Sequence, residues 1–249
     1  MIENHKNNEP VIEVDRLYKT FEEKNVLEGV SLNLYRGETL SILGRSGQGK
    51  SVLIKCMVGL IIPDAGSIHV LEQDVLNLKD TDLNALRSRV GYLFQEGALY
   101  DSMTLEENLL FPLERNKPGL SAEKKRTLIE STLRSVDLLD DIDKMPSELS
   151  GGMRKRAGLA RTLVLEPEII LYDEPTTGLD PYTARDINEL ILRVQKIYNV
   201  SSIVVTHDMK CAKRVSDRIV ILHNGNFIAR GRFEELESHE DEIVRNYFL

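Results

Sequence analysis

The 249-residue sequence is poor in cysteine, in long apolar runs and in excess positive charge, and each shortage narrows what the chain can be. Two cysteines, Cys56 and Cys211, cannot build a disulfide framework, which agrees with a reducing compartment. The longest apolar stretch, Val52 to Pro63, is interrupted by Lys55 and is too short to span a bilayer. The opening MIENHKNNEP is polar and has no apolar secretion-signal core, so residence in the cytoplasm is expected. Lys+Arg number 32 against 40 Asp+Glu, a net charge of −8, which argues against whole-surface attraction to nucleic acid or anionic lipid. Any bound anion must be held by local geometry. There is no internal repeat, low-complexity linker or heptad array. What is present, 41% hydrophobic and 29% charged residues, is the mixture of a globular chain rather than a disordered or polytopic one. At about 100–200 residues per domain, one large domain or one with a subdomain is expected.

Residues 1–10 read as a frayed tail. From Val11 to about Leu34 the pattern suits strands with one wet face, Val30, Leu32 and Leu34 alternating with Ser31, Asn33 and Tyr35. Leu40–Leu43, Ile169–Tyr172 and Ile203–Val205 are short continuous apolar runs that suit parallel strands buried on both faces. Pro181 to Tyr198 reads as a helix, with Ile187, Leu190, Ile191, Val194 and Ile197 on one face and Pro181 in its first turn. Helices dominate from about 75 to 165, with N-caps expected at Thr81, Thr104 and Ser121 and a capping box at Thr104 and Glu107. Ile219–Leu222 and Phe227–Ala229 flank Asn224-Gly225 as a hairpin. The alternation predicts an α/β fold over a parallel core.

Gly44-Arg45-Ser46-Gly47-Gln48-Gly49-Lys50-Ser51 fits the G-x-x-x-x-G-K-[ST] phosphate loop, after a predicted strand and before a predicted helix. Glycines let backbone N–H groups curl around phosphate oxygens, and the helix N-terminus adds its positive end. Lys50 is expected on the β- and γ-phosphates and the Ser51 hydroxyl on Mg²⁺. Asp173, ending the run Ile169–Tyr172, is placed as the Mg²⁺ partner. Glu174, one residue further, is placed to orient and deprotonate the attacking water.

Leu149-Ser150-Gly151-Gly152-Met153 is the discriminating segment. Ser150 is a good N-cap, and two glycines leave the first helical N–H groups bare. This makes a second anion site far from Lys50 in sequence, which makes sense across a dimer interface.

On these residues the chain resembles the nucleotide-binding subunit of an ATP-binding cassette (ABC) transporter, over about Val11 to Gly231. The family's motifs follow in order: Walker A 44–51, the Q-loop Gln95, the signature 149–153, Walker B 169–174, the D-loop Gly178-Leu179-Asp180 and the switch His207. The resemblance implies a P-loop ABC ATPase core with a parallel sheet, an N-terminal antiparallel β subdomain and an inserted helical subdomain at about 96–165. It makes 11–231 the ATPase domain and 232–249 a C-terminal helical tail. It implies Gln95 beside Ser51 and Asp173 at Mg²⁺, His207 at the γ-phosphate, Asp180 coupling the two sites, and an adenine-stacking aromatic at Phe21, with Tyr18 as its competitor. A homodimer is expected, with ATP between Walker A of one copy and Ser150–Gly152 of the other. The family usually has Gln where this chain has Met153. Leu149–Arg156, Phe94–Tyr100 with Thr104–Asn108, and Tyr172–Pro181 resemble the ATPases of Mla/Mce-type phospholipid transporters. That resemblance implies a permease, whose cytoplasmic helix meets the Q-loop region, a membrane-anchored lipid-binding protein, a possible regulatory subunit, and a place on the cytoplasmic face of the inner membrane.

Other readings stay open at this point. The same motifs suit an ABC ATPase for another solute. A cytosolic ABC ATPase acting on DNA or ribosomes would carry long coiled coils or two cassettes, and a small-molecule kinase has no use for Ser150–Gly152. His207 and Cys211 stand four apart, but two ligands make a weak metal site. Cys56 reads as a core thiol sharing a helix face with Val52, Leu53 and Leu60. Asp140, Asp141 and Asp143 read as a solvated turn. Arg154, Lys155 and Arg156 are either three solvated side chains or cations facing an anion. The apolar end Tyr247-Phe248-Leu249 either stays mobile or packs on the core, a second protomer or a partner.

Overall fold

In the computed structural model, which describes residues 9–248, β1 (Pro10–Phe21) turns through Glu22 and Glu23 into β2 (Lys24–Tyr35) as an antiparallel pair. Most of the expected tail at 1–10 lies outside the described residues. Burial alternates along β2, with Val30, Leu32 and Leu34 inside and the intervening residues half-buried, as a strand with one wet face requires. The fully buried β3 (Thr39–Leu43) follows, then α1 (Lys50–Met57), β4 (Ala65–Val70), β5 (Gln73–Asp74), α2 (Asp80–Arg89) and β6 (Val90–Leu93). Then come α3 (Leu105–Asn116), α4 (Ala122–Ser135) and α5 (Gly151–Leu163), capped by Thr104, Ser121 and Ser150. The chain returns through β7 (Ile169–Asp173), α6 (Pro181–Tyr198), β8 (Ser201–Thr206), α7 (Met209–Val215), β9 (Arg218–His223) and β10 (Asn226–Gly231), and closes with α8 (Phe233–Glu237) and α9 (Glu242–Arg245).

Two sheets result. One is antiparallel in the order β2-β1-β4-β5. The other runs β10-β9-β3-β8-β7-β6, parallel except for its edge strand β10. Strands β7 and β8 feed both sides of this second sheet. Ile169, Leu171, Ile203 and Val205 join the core shared with the antiparallel sheet and α1, whereas Ile170, Tyr172 and Val204 join the core under α3–α6. Each large side chain so buried contributes about 1.5–3 kcal/mol of transfer free energy.

The functional ends emerge from the register. Leu43 pairs with Thr206, and Asp173 with Val205. Gly44, His207 and Glu174 therefore leave three adjacent parallel strands at nearly one level, at the carboxyl edge where open α/β sheets bind ligands.

Several local expectations are corrected. Helix α2 begins at Asp80, before Thr81, which lies inside it; the first-turn acids Asp80 and Asp82 favour that start. Strand β6 interrupts the region read as helical; at four residues its signal is short. Ile197 is 59% exposed, because the inward position of the last turn of α6 falls on Tyr198, whose hydroxyl donates to Ser135 Oγ at 3.1 Å. Leu60 is exposed because α1 stops at Met57, while Cys56 is buried as expected. Tyr247 and Phe248 pack on a small cluster of Ala212, Ile219, Ile221, Leu236 and Val244. Of the alternatives for the chain end, the core is therefore the surface these two residues meet. Leu249 lies outside the described residues.

Candidate functional site

The loop between β3 and α1 is shaped by its glycines. Gly49, with φ 97°, is the N-cap of α1 and offers no side-chain cap, so the first N–H groups of that helix face outward for an anion. A Cβ on Gly49 would stand 2.7 Å from the Val26 carbonyl oxygen. Ser46, Gly47, Gly49, Lys50 and Ser51 line a cavity of about 340 Å³ together with Val26, Gln95, Glu174, Thr177 and His207. Residues from five separate stretches of sequence thus share one cavity.

The polar contacts within it are specific. The buried Lys50 donates from Nζ to the Gly44 carbonyl at 2.8 Å and the Arg45 carbonyl at 3.1 Å, and pairs with Glu174 Oε1 at 3.1 Å. The Ser51 hydroxyl donates to Asp173 Oδ1 at 2.6 Å, and the Tyr92 hydroxyl donates to Asp173 Oδ2 at 2.9 Å. Burial and the Asp173 charge push the Tyr92 phenol well above its ordinary pKa, so it remains a donor. Nothing in the motifs singled out Tyr92; its one signal is its place on β6 beside β7. Glu174 sits at φ 52°, in left-handed backbone that a non-glycine residue rarely adopts. Its N–H donates to the Val205 carbonyl, and its Oε2 meets Thr177 Oγ1 at 3.0 Å and His207 Nδ1 at 2.7 Å.

The structure does not bring every predicted residue here. Ser150 caps α5 by accepting from the Met153 N–H, and Gly151 lines a separate cavity of about 510 Å³ with Glu96, Lys155, Thr177 and Leu179. Gly152 faces α6, where a Cβ would meet Thr183 Cγ2 at 2.4 Å. Asp180 caps α6, accepting from the Tyr182 and Thr183 N–H groups and the Thr183 hydroxyl, and these bonds hold its carboxyl below the usual range. Gln48 turns its side chain to the Asn224 N–H, and Arg45 stacks over Tyr247 at 6.0 Å. Phe21 lies at the end of β1, 43% exposed, with Lys19 Nζ 5.1 Å from its ring centre, and does not line the 340 Å³ cavity.

The basic run after the signature is not simply solvated. Arg154 donates to the Leu149 carbonyl, Arg156 to Asp137 and the Val136 carbonyl, and the buried Lys155 to the carbonyls of Gln95 and Glu174. Cys211 is buried, its thiol pushed up to about 12 chiefly by desolvation, while His207 faces Glu174. Among the described residues no group of three or more His, Cys, Asp or Glu side chains could hold a metal by itself. Mg²⁺ rarely needs such a cage; one or two protein oxygens plus phosphates suffice, and the Ser51–Asp173 oxygen pair fits that demand.

Known proteins resemble this chain in sequence and fold. The model of the family described as ABC transporter matches residues 27–177. The chain is 39% identical over 236 residues to a protein of Mycobacterium leprae named probable ribonucleotide transport ATP-binding protein mkl, covering 95% of this chain and 68% of that one. It is 37% identical over 255 residues to the Arabidopsis thaliana protein TRIGALACTOSYLDIACYLGLYCEROL 3, chloroplastic, covering 95% of this chain and 73% of that one. A dimeric ATP-binding cassette solved in a post-hydrolysis state with ADP and Pi superimposes with a TM-score of 0.82 at 31% identity, over 89% of this chain and 98% of that one.

Proposed function

We propose a lipid-transporting role for this chain, which belongs to the ABC transporter family as an ATP-binding subunit. The observation that carries the lipid reading is the 37% identity to a protein named for a glycolipid, over 95% of the chain. The signature with Met153 in place of Gln, similar to that of Mla/Mce-type ATPases, points the same way. The name of the mkl relative favours a second reading, ribonucleotide transport.

In the proposed mechanism, Lys50 and the N–H groups of residues 46–51 hold the β- and γ-phosphates of ATP. Ser51, Asp173 and Gln95 would hold Mg²⁺, which would supply charge neutralisation at the transferring phosphoryl group. Tyr92 fixes the second oxygen of Asp173 and so turns the first toward Ser51. Glu174 accepts a proton from the water whose oxygen bonds to the γ-phosphorus as the bond to the β–γ bridging oxygen breaks and ADP leaves, and the γ-phosphate competes with its carboxylate for the Lys50 ammonium. His207 and Thr177 orient that carboxylate. Phe21 is assigned the adenine, and Asp180 the coupling of the two sites.

Gly151 and Lys50 open on different cavities, so a second copy is assigned to bring Ser150–Gly152 over the phosphates. A further cavity of about 300 Å³, lined by Leu60, Tyr100, Phe111, Arg87, Arg115 and Arg161, suits a permease helix. Among the described residues no helix is long and apolar enough to cross a membrane; attachment to the inner membrane's cytoplasmic face is assigned to that permease. A membrane-anchored lipid-binding protein and a regulatory subunit complete the proposed complex.

The test is to purify the native complex and identify co-purifying lipid by mass spectrometry, then measure ATP turnover in proteoliposomes with added phospholipid or ribonucleotide. Phospholipid in the complex and phospholipid-stimulated turnover support the lipid reading. Stimulation by ribonucleotide alone transfers the chain to the second reading.

A further inference from the structure

Lys155 lies one turn into α5, four residues after Gly151, and is only 6% exposed. An ammonium is costly to bury unless its donors find partners. Here Nζ donates to two backbone carbonyls, that of Gln95 and that of Glu174, the latter at 3.3 Å. Burial pulls its pKa down, while Glu174, Asp173 and Glu96 push it back up. A core lysine needing only solvation could have used any carbonyl. These two belong to residues that line the cavity of Lys50 and Ser51, whereas Lys155 itself lines the neighbouring cavity of Gly151. Thr177, which donates to the Glu174 carboxylate, lines both.

The backbone of Glu174 needs such a hold. Its left-handed conformation is strained, and it is pinned on the other side by its own N–H on the Val205 carbonyl of β8. One clamp belongs to the sheet and the other to α5. A small rotation or shift of α5 moves the second clamp and leaves the first in place.

We infer that Lys155 is a positioning residue: it ties the carbonyls of Gln95 and Glu174 to the start of the signature helix, so that engagement of Ser150–Gly152 by the second copy's nucleotide sets the aim of Glu174 in this copy's own site. The inference rests on the dimeric ATPase reading above. It makes each nucleotide act on two carboxylates, directly on the one beside its phosphates and through Lys155 on the one in the other site.

The test is a double-mutant cycle on the full-length protein, combining Lys155→Met with Glu174→Gln. Three quantities are read: ATP turnover, affinity for a fluorescent ATP analogue and the thermal unfolding midpoint. Misplacing a reacting group by about 1 Å costs on the order of 100-fold in rate, so Lys155→Met should lower kcat by roughly 10- to 100-fold while nucleotide affinity stays within about 3-fold. Lys155→Arg, which keeps charge and donors, should recover most of the turnover. If Lys155 acts through Glu174, the double variant is no slower than Glu174→Gln alone, a failure of additivity. Unchanged turnover in Lys155→Met, or losses that multiply in the double variant, overturn the inference. So does a parallel fall of affinity, turnover and unfolding midpoint, which marks a merely structural lysine. If Lys155→Met does not fold, Lys155→Gln takes its place in the cycle. Failure of the underlying reading shows separately, as full turnover in Glu174→Gln alone, and overturns both.

Discussion

Lys50 Nζ lies 3.1 Å from Glu174 Oε1, so the proposed phosphate-holding cation and the proposed water-activating carboxylate form one buried ion pair. Each keeps the other from being an uncompensated buried charge. In the proposed mechanism Glu174 thereby occupies the cation assigned to the γ-phosphate.

Replacing Glu174 by Gln keeps the size of the side chain and removes the proton acceptor. Turnover should fall by about 10²- to 10⁴-fold while ATP binding survives, so ATP-loaded dimers should accumulate on size-exclusion chromatography. Near-normal hydrolysis would refute the role assigned to Glu174.

Lys50→Ala removes the charge assigned to the β/γ-phosphates and leaves Glu174 without its lysine partner. Nucleotide affinity and hydrolysis should both fall. Titration with a fluorescent ATP analogue, alongside circular dichroism to establish folding, checks this; unchanged affinity in a folded variant would discard the phosphate-loop assignment.

Gly152→Ala would place a methyl group against Thr183 Cγ2 at 2.4 Å, a contact side chains do not tolerate. The variant should lose unfolding temperature and ATPase activity together. Thr183→Ser removes the opposing methyl and keeps the hydroxyl bonded to Asp180, so Gly152→Ala/Thr183→Ser should recover most of both. If the second substitution restores nothing, the close approach of α5 and α6 is not the reason for glycine here.

Asp137 bridges Arg193 of α6 and Arg156 of α5, and those guanidiniums hold its carboxyl below the usual range. A depressed carboxyl adds stability that is present above its unfolded pKa and is lost as pH falls through the folded value. Asp137→Asn should therefore lower the unfolding temperature at pH 7, by an amount corresponding to about 0.5–1 kcal/mol for a half-exposed pair. Near pH 3 the gap from the unsubstituted protein should shrink. A pH-independent gap would point to packing instead.

Phe248 meets Phe233 edge-on at 5.2 Å, and Tyr247 meets His223 Nδ1 at 2.8 Å. Phe248 is half-buried, so Phe248→Ala should cost about 1–2 kcal/mol, less than a full core truncation, in a denaturant titration. No loss of stability would mean that the chain end is not held on this cluster in solution.

The central strands and phosphate loop were legible because their signals are local. Leu40–Leu43 and Ile169–Tyr172 announce burial by unbroken apolarity, and Gly49-Lys50-Ser51 needs only a strand before it and a helix after it. Asn224-Gly225 foretold its hairpin, and Thr104 with Glu107 its helix. What stayed hidden depends on partners far along the chain. Tyr92 looks like any strand tyrosine until β6 is paired beside β7. Lys155 reads either as a solvated cation or as one facing an anion until the carbonyls of Gln95 and Glu174 are brought over α5. Ile197 followed the helical period, but at the last turn of α6 the neighbouring protein lies under Tyr198. Phe21 was assigned by resemblance, and its exposed position at the tip of β1 leaves it outside the cavity of one chain.

The strand order has a consequence for biosynthesis. Strand β8 lies between β3 and β7, yet it is made after both. The gap between the phosphate loop and Asp173-Glu174 closes only when residues 201–206 have left the ribosome and slid in between. Until then β3 and β7 each present an unpaired edge, and such late, long-range pairings are slow and prone to aggregation. A nascent chain stopped before Ser201 can therefore hold neither the Val205 clamp on Glu174 nor His207, and no concentration of ATP can stand in for the missing strand.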